Sequence, residues 1–410
     1  MRKTRCLCLL VVVGLLWGLS PPWVVQALDN GLGRTPAMGY NTWNDFRCNI
    51  NAKDIMDAAD AIIKQGLNKL GYVYVNMDDC WAAGRNPTTG MIYPDPVAFP
   101  KGIKAVADYV HSLGLKFGIY TDRGNMTCEK RPGSFGYETI DAKTYAMWGV
   151  DYLKEDSCFA PTDPPTAIAQ YALMRDALNA TGRHIYFSLC GWQSWYAPVG
   201  AALGNSWRIA GDASSWRTVL RAIDTSVNLG AYAQPGAWND PDMLIGSDPA
   251  TAYYLTQDQS RTMFSMWSVL AAPLLIGSNI RNLNAFDLET YSNVEVIAVD
   301  QDPMGLQGIR LSGSSLQAGS PQNIWGRLLS DENGGGWAVV FLNNANVTAD
   351  VTCDADCFSL MGFDSSASLY VRDLWRHTNN GTIAVAKGFT AFGVPPLGGS
   401  VMVRFTSRPL

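Results

Sequence analysis

The chain has 410 residues, of which 47% are hydrophobic and 16% are charged, and its formal net charge is −5. Soluble domains usually contain about 25% charged residues, so this composition predicts a large buried core. The length exceeds that of one ordinary core and predicts one large domain with a smaller second one. No block of basic residues occurs, which argues against nucleic acid as a partner.

The first 27 residues have the pattern of a secretory signal peptide. A basic start precedes the apolar run 7–16, and Ala27 ends a stretch suited to signal cleavage. The alternative is an uncleaved anchor. No later apolar stretch is long enough to span a bilayer, so we expect no membrane span after signal removal. The sequence therefore predicts the secretory pathway, ending outside the cell or in a lysosome or vacuole.

Export predicts disulfide bonds and glycosylation. An odd number of cysteines follows the signal, so at least one has no partner within the chain. These are Cys48, Cys80, Cys128, Cys158, Cys190, Cys353 and Cys357. Cys353 and Cys357 are close enough in sequence for a local bridge, with a free pair as the alternative. Sequons for N-glycosylation begin at Asn125, Asn179, Asn346 and Asn380.

Predicted strands and helices alternate after the signal. Strands are predicted at 38–43, 72–77, 116–120, 150–153, 184–189, 207–210, 237–238 and 274–276. Helices are predicted at 54–70, 101–113, 142–148, 166–180, 199–203, 215–227, 252–270 and 291–299. Eight strand-then-helix units predict an α/β fold, a parallel (β/α)8 TIM barrel over residues 28–304. A doubly wound open sheet is the alternative, but no glycine-rich dinucleotide turn supports it.

The sequence pattern changes near Gly305, where glycines and short alternating segments replace the helices. Strands are predicted at 324–329, 336–342, 368–371, 382–385 and 400–405. We therefore expect a C-terminal antiparallel β-sandwich domain over residues 305–410.

Functional residues of a parallel barrel gather at the carboxyl ends of its strands. The residues at these predicted ends are Trp43, Asp78, Asp79, Tyr120, Asp122, Lys154, Asp156, Cys190, Trp192, Arg208, Asp212, Asp240 and Asp242. Crowded carboxylates repel one another unless cations or a polar ligand separate them. A sugar fits this set, because charged groups bind hydroxyls, tryptophans cover a sugar's C–H face, and two carboxyls can cleave a glycosidic bond.

Other site chemistries have less support. The three histidines, His111, His184 and His377, lie away from the predicted strand ends, which argues against a histidine-based metal site. An all-carboxylate Mg²⁺ or Ca²⁺ site stays open as an alternative, but we expect no metal or cofactor. No G-x-S-x-G motif occurs, so a serine nucleophile is not expected. Cys190 has no histidine near it, which favours packing over a reactive thiol.

Several motifs carry a family resemblance from about residue 28 to residue 276. They are LDNGLGRTPAMGYNTWN, YVNMDDCW, GIKAVADYVHSLGLKFGIY, WGVDYLKEDSC, NSWRIAGD and WNDPDMLIG. In wording and order the chain resembles glycoside hydrolase family 27, the secreted and lysosomal α-galactosidases and α-N-acetylgalactosaminidases. The resemblance implies an exo-acting α-galactosidase that retains the configuration of the anomeric carbon.

The resemblance also implies a role for each matching residue. Asp156 falls at the family's nucleophile and Asp212 at its general acid/base. Asp78 and Asp79 would bind the 4- and 6-hydroxyls of galactose, Lys154 the 3- and 4-hydroxyls, and Arg208 the 2-hydroxyl. The pocket would be lined by Trp43, Tyr120, Trp192, Asp242 and Met243, with Cys190 in its wall. Cys48–Cys80 and Cys128–Cys158 match the family's disulfides.

Three positions depart from the family pattern. Glu155 stands where many relatives have Tyr, Tyr40 where Trp is common, and Gly191 where galactosidases have Glu and animal galactosaminidases have Ser. A second acid beside the nucleophile could raise its pKa unless it points away, as strand alternation predicts.

Gly191 keeps α-N-acetylgalactosaminidase open as the alternative activity. A non-catalytic galactose-binding protein on the same barrel is the alternative from another class. Expected partners are α-galactoside oligosaccharides, glycolipids or galactan side chains, and a homodimer is expected.

Overall fold

The computed structural model describes residues 28–409, so the predicted signal peptide lies outside the described part of the chain. Within residues 28–409 no helix has the length and apolarity that a membrane crossing requires.

Eight parallel strands form one curled sheet. They are β1 (Met38–Asn41), β2 (Tyr74–Asn76), β3 (Lys116–Asp122), β4 (Tyr152–Asp156), β5 (Tyr186–Leu189), β6 (Ser206–Arg208), β7 (Trp238–Asp240) and β8 (Leu274–Ile276). The hydrogen-bonded order is β8-β1-β2-β3-β4-β5-β6-β7. This order has no reversal, which excludes the doubly wound alternative. Between β7 and β8 the contact is a single bridge, Leu244 to Ile276, so the predicted barrel is loosely joined at this seam.

Helices surround the barrel. They are Trp43–Phe46, Ala52–Lys64, Gly102–Ser112, Glu138–Trp148, Pro164–Asn179, Ala197–Leu203, Trp216–Ser226, Gln257–Val269, Ala285–Tyr291 and Val294–Asp300. Capping sets several of their starts. The Asn51 side chain accepts backbone N–H bonds from Lys53 and Asp54, and Thr256 forms a capping box with Gln259.

The structure moves several predicted boundaries. The predicted strand 150–153 is β4, which continues through Asp156, and the predicted strand 116–120 is β3, which continues through Asp122. The hydrophobicity pattern placed the ends of both strands too early, because the last residues of these strands are polar although they are buried. The predicted helix 291–299 is present as Val294–Asp300, so its start was placed three residues too early. Two helices meet there, and the Asn293 side chain caps the start of the second one.

Three further differences concern the first third of the chain and the C-terminal part. Trp43 begins a short helix rather than ending β1. The loop predicted after Trp81 contains a hairpin, Ala82–Arg85 with Ile92–Pro94. The strands 309–313, 349–353 and 389–394 were not predicted from the sequence.

The C-terminal part is antiparallel. Its strands are β9 (Ile309–Gly313), β10 (Asn323–Leu328), β11 (Trp337–Asn343), β12 (Ala349–Cys353), β13 (Ser368–Asp373), β14 (Thr378–Ala384), β15 (Phe389–Val394) and β16 (Gly399–Thr406), with one helix, Ala355–Leu360. Six strands form a sheet in the order β9-β10-β11-β16-β13-β14, and β12 pairs with β15.

The sheet of the C-terminal part packs on the barrel through a shared core. Trp325 and Met402 belong to the same buried cluster as Trp267 of the barrel helix Gln257–Val269. Arg327 is fully buried and donates to the carbonyl oxygens of Ser268 and Asp300 at 2.9 and 3.0 Å. The two parts therefore bury apolar and polar groups against each other.

Candidate active site

Strands β3 and β4 set the centre of the site by their register. Tyr120 pairs with Lys154, and Asp122 pairs with Asp156. Side chains alternate along a strand, so Lys154 and Asp156 share the face that the sugar-binding prediction requires, and Glu155 lies on the other face. The nucleophile candidate is thus held inside a regular strand rather than on a loop.

Most of the predicted residues converge on one cavity at the carboxyl ends of the strands, with about 490 Å³ of empty space. Its lining includes Trp43, Asp78, Asp79, Tyr120, Lys154, Asp156, Trp192, Arg208, Asp212, Asp242 and Met243. Sequence reasoning missed three lining residues, Asn44, Cys128 and Tyr253. Asn44 follows Trp43 in a quoted motif, whereas Cys128 was read only as a disulfide partner, and Tyr253 lies in a loop without a recognisable signal.

Asp156 is buried and held by two donors. The Tyr120 hydroxyl donates to its Oδ2 at 2.9 Å, and the backbone N–H of Ser157 donates to its Oδ1 at 2.9 Å. Burial raises the pKa of Asp156, and the nearby charge of Lys154 together with these donors opposes the rise without cancelling it. The expected lowering by Lys154 is therefore present but is outweighed by burial.

Lys154 and Asp78 form a buried ion pair. Lys154 Nζ donates to Asp78 Oδ2 at 2.8 Å, and the Asn41 amide donates to the same oxygen at 2.8 Å. Burial opposes the charge on Lys154, but the charges of Asp78 and Asp156 and the hydrogen bond to Asp78 hold its pKa above the ordinary value. The ammonium is therefore charged and fixed at the closed end of the cavity.

Arg208 links Asp212 to Asp242. Its Nη2 is 3.1 Å from Asp212 Oδ1 and its Nη1 is 3.0 Å from Asp242 Oδ1. Asp212 is the exposed member, with 67% of its side chain accessible, whereas Asp242 is 5% accessible. Burial raises the pKa of Asp242 to about 6 although Arg208 opposes the rise.

For Asp212 the nearby cations change the pKa more than burial does. Partial burial raises its pKa, but the charges of Arg208, Lys154 and Arg47 outweigh burial and hold the pKa below the usual value.

Asp79 is held by the backbone. Its Oδ1 accepts the N–H of Cys80 at 2.6 Å and its Oδ2 accepts the N–H of Glu129 at 3.1 Å. Burial nevertheless raises its pKa to about 6. Asp79 thereby ties the loop of Cys80 to the loop of Cys128, and each of these cysteines is in a disulfide. The structure contains the bonds Cys48–Cys80, Cys128–Cys158 and Cys353–Cys357.

Cys190 does not line this cavity. It lies in a smaller chamber of about 310 Å³ beneath it, which Lys154, Arg208, Asp240 and Asp242 also line. Arg208 Nη1 is 3.7 Å from the Cys190 sulfur. Burial raises the pKa of the thiol well above its ordinary value, so Cys190 is a protonated packing group beneath the pocket.

Glu155 points away from the cavity, as alternation predicts. The residue is fully buried, and neither carboxyl oxygen has a hydrogen-bond partner within residues 28–409. Burial and the charge of Asp122 raise its pKa well above the ordinary value. Glu155 is therefore a neutral acid in the layer between the barrel and its helices.

Gly191 is fixed by Tyr196. A Cβ at position 191 would lie 1.9 Å from Cε2 of the Tyr196 ring, which no real contact permits. The Tyr196 ring thus fills the space that a side chain at position 191 would need. The next residue, Trp192, has a φ of 59° and lines the cavity.

Asp122 and Asp156 lie close to the disulfide sulfurs of Cys128 and Cys158. These sulfurs are bonded to each other, so they cannot be thiolate ligands of a metal. Burial and the charge of Asp156 raise the pKa of Asp122 to about 8.

The four sequon asparagines are exposed, as glycosylation would require. Their modification stays a prediction.

Comparisons with known proteins agree with this geometry. Residues 35–302 match the family model described as alpha galactosidase A, and residues 319–405 match the alpha galactosidase C-terminal beta sandwich domain. Alpha-galactosidase 3 of Arabidopsis thaliana is 46% identical over 357 residues, which are 85% of this chain and 77% of that protein.

Two solved structures extend the likeness to the fold. Alpha-galactosidase I from Mortierella vinacea matches with a TM-score of 0.85 and 34% identity, over 92% of this chain and 98% of that one. The Saccharomyces cerevisiae α-galactosidase solved with raffinose matches with a TM-score of 0.82 and 28% identity, over 92% and 98%.

Proposed function

Because the chain belongs to the α-galactosidases of glycoside hydrolase family 27, we propose that it hydrolyses terminal non-reducing α-D-galactosyl residues with retention. Asp156 is the nucleophile of this reaction and Asp212 is its general acid/base. One observation carries the proposal: a single cavity contains both carboxyls together with the Lys154–Asp78 pair and Arg208.

In the first step Asp156 attacks the anomeric carbon and Asp212 gives its proton to the departing oxygen. The bond from the anomeric carbon to that oxygen breaks, and an ester between galactose and Asp156 forms. The hydrogen bonds from Tyr120 and Ser157 orient the attacking carboxylate. This step needs the two carboxyls about 5–5.5 Å apart, without room for a water between them.

In the second step Asp212 takes a proton from water, and the oxygen of that water attacks the anomeric carbon. The ester breaks, Asp156 leaves as a carboxylate, and galactose is released in its original α configuration. Because Asp212 is the exposed carboxyl, water reaches it after the leaving group departs.

The buried charged side chains provide the contacts that recognise the sugar. Lys154, Asp78 and Asp79 at the closed end offer donors and acceptors for the 3-, 4- and 6-hydroxyls, and Arg208 offers donors for the 2-hydroxyl. Trp43 and Trp192 contribute apolar faces. A cavity closed at this end accepts one terminal sugar, which agrees with exo action.

The test is hydrolysis of p-nitrophenyl α-galactoside at mildly acid pH, side by side with p-nitrophenyl α-N-acetylgalactosaminide. We expect the galactoside to be the better substrate and Asp156→Asn to lose turnover while its circular dichroism spectrum is unchanged. A folded Asp156→Asn variant that keeps wild-type turnover would refute the assignment of the nucleophile.

Substrate, location and assembly extend this proposal. Raffinose-type oligosaccharides, galactosylated glycolipids and galactan side chains all present a terminal α-galactosyl group. Three disulfides agree with an oxidising compartment, which supports an extracellular or vacuolar location. The homodimer and the domain limits 1–27, 28–304 and 305–410 stay predictions, which solution mass and N-terminal sequencing would check.

A further inference from the structure

Arg47 lies against two aromatic residues of the cavity wall. Its guanidinium carbon is 4.9 Å from the centroid of the Trp43 ring and 4.7 Å from that of the Tyr253 ring. Both distances are in the range of cation–π contact. Trp43 and Tyr253 also line the cavity, so the rings that hold the cation face the substrate space.

The charge of Arg47 has no carboxylate partner. Among residues 28–409 its side chain forms no ion pair and donates no hydrogen bond, although the residue is half-buried. Its backbone has a φ of 51°, in the left-handed region that a side-chain-bearing residue rarely adopts. A strained residue with a free cation held by two pocket residues is not explained by packing alone.

The position of Asp212 shows which part of a substrate Arg47 would meet. A general acid touches the glycosidic oxygen, so the leaving group must lie beside it, on the side away from the buried galactose. The Asp212 side chain is 67% accessible, which places that side at the open end of the cavity. Arg47 lies within electrostatic reach of Asp212 and is one of the cations that lower its pKa.

We propose that Arg47, with Trp43 and Tyr253, forms a subsite for a leaving group that bears an anionic oxygen group. Its chemistry is that of a carboxylate, sulfate or phosphate on the sugar or alcohol that carries the α-galactosyl residue. Guanidinium N–H groups lie in one plane and bind two oxygens of such an anion at once, while the rings fix the plane. This inference rests on the proposed function, because it places the subsite beyond the cleaved bond.

The test compares two substrates whose open-chain leaving groups differ at one carbon, which is an alcohol in one and a carboxylate in the other. Melibiitol, the alditol of melibiose, releases glucitol, and melibionate, the aldonic acid of melibiose, releases gluconate through the same type of bond. The measured quantity is the ratio of kcat/KM for melibionate to that for melibiitol, above about pH 5, where a carboxyl of pKa about 4 is ionised. An effect of Arg47 on Asp212 acts on both substrates and cancels in the ratio.

We expect the wild-type enzyme to favour melibionate by about 1.5-fold to fivefold, the range of an exposed ion pair. Arg47→Met keeps an apolar chain between the rings and should bring the ratio close to one, and Arg47→Lys should keep part of it. Arg221→Met, which removes an exposed arginine from the outer helix Trp216–Ser226, is the matched control and should leave the ratio unchanged.

A second measurement needs no variant. Raising the ionic strength from about 0.01 to about 0.15 M shortens the screening length from about 30 to about 8 Å and should lower the wild-type ratio. A wild-type ratio near one, or the same ratio in Arg47→Met as in the wild type, would overturn the subsite. Failure to cleave both sugars would instead count against the proposed function, so the two failures are distinguishable.

Discussion

At the scale of single residues, the surroundings of Asp212 favour its ionised form, although its proposed role requires a proton. A general acid must be protonated, yet the ion pair with Arg208 holds the pKa of Asp212 below its usual value. Under the proposed function the 2-hydroxyl of bound galactose competes for Arg208. Binding of substrate would therefore weaken the pair and let the pKa of Asp212 rise when a proton is needed.

The pH dependence of the rate tests this idea. The profile of kcat/KM reports the free enzyme and that of kcat reports the enzyme–substrate complex. Because Arg208 favours the anion of Asp212 in the free enzyme, we expect the basic limb of kcat at a higher pH than the basic limb of kcat/KM. Steady-state kinetics across pH would measure both, and coincident limbs would contradict the displacement of Arg208.

Gly191 gives a second prediction at this scale. Gly191→Ala should destabilise the fold by about 1–3 kcal/mol, because its Cβ would overlap the Tyr196 ring. Gly211→Ala is the control, since its Cβ would have no atom within 4 Å. In a Tyr196→Ala background the same Gly191→Ala change should have a much smaller effect on urea unfolding. Equal effects in both backgrounds would show that Tyr196 is not the obstacle.

These two residues also show how far the sequence alone reaches. The carboxylates and cations of the site could be predicted, because strand ends and quoted motifs mark them. The departure at Gly191 was visible in the sequence, but its cause was not, since Tyr196 fills the space from five residues away. Arg47 and Tyr253 had no signal, because a loop brings them together across about 200 positions.

At the scale of elements, β4 carries the proposed nucleophile on one face and a buried acid on its other face. Glu155 is neutral in the folded protein, because burial raises its pKa well above the value of the unfolded chain. An acid with a raised folded pKa favours folding at low pH. As the pH rises above about 4.5, the unfolded chain loses its proton first, and stability falls by up to about 1.4 kcal/mol per pH unit until the folded pKa is reached.

Glu155→Gln removes this titration and keeps a neutral side chain of similar shape. We expect the variant to match the wild type near pH 4 and to be more stable at pH 7, as measured by urea unfolding at both values. Exposed Glu332→Gln serves as the control and should not change the slope with pH. A wild-type advantage that persists at pH 7 would mean that Glu155 is ionised and paired in solution.

The sequence predicted the type and order of the elements better than their ends. All eight barrel strands were expected, because each is an apolar run followed by a helix. The last residues of β3 and β4 were missed because buried polar residues such as Asp122 and Asp156 look like a loop in a hydrophobicity pattern. Strands β9, β12 and β15 were missed because short sheet segments lack a strong alternation.

At the scale of the whole molecule, the barrel and the C-terminal sheet share one core. Trp325, Trp267 and Met402 lie in the same buried cluster, and Glu295 forms two hydrogen bonds of 2.6 Å with Arg372 across the interface. We therefore expect a single cooperative transition in differential scanning calorimetry.

A chain that ends at residue 304 should aggregate, because it exposes the barrel's side of this core. A soluble, active barrel or two separate transitions would contradict the coupling.

The central claim is that Asp156 carries galactose in a covalent intermediate, and trapping that intermediate tests it most directly. A fluorinated α-galactosyl fluoride that forms the ester quickly and hydrolyses it slowly should add one fluorogalactosyl group to the intact protein. Mass spectrometry of the peptides should then place that group on Asp156. A label on another residue, or turnover with inversion and no labelled protein, would contradict the account.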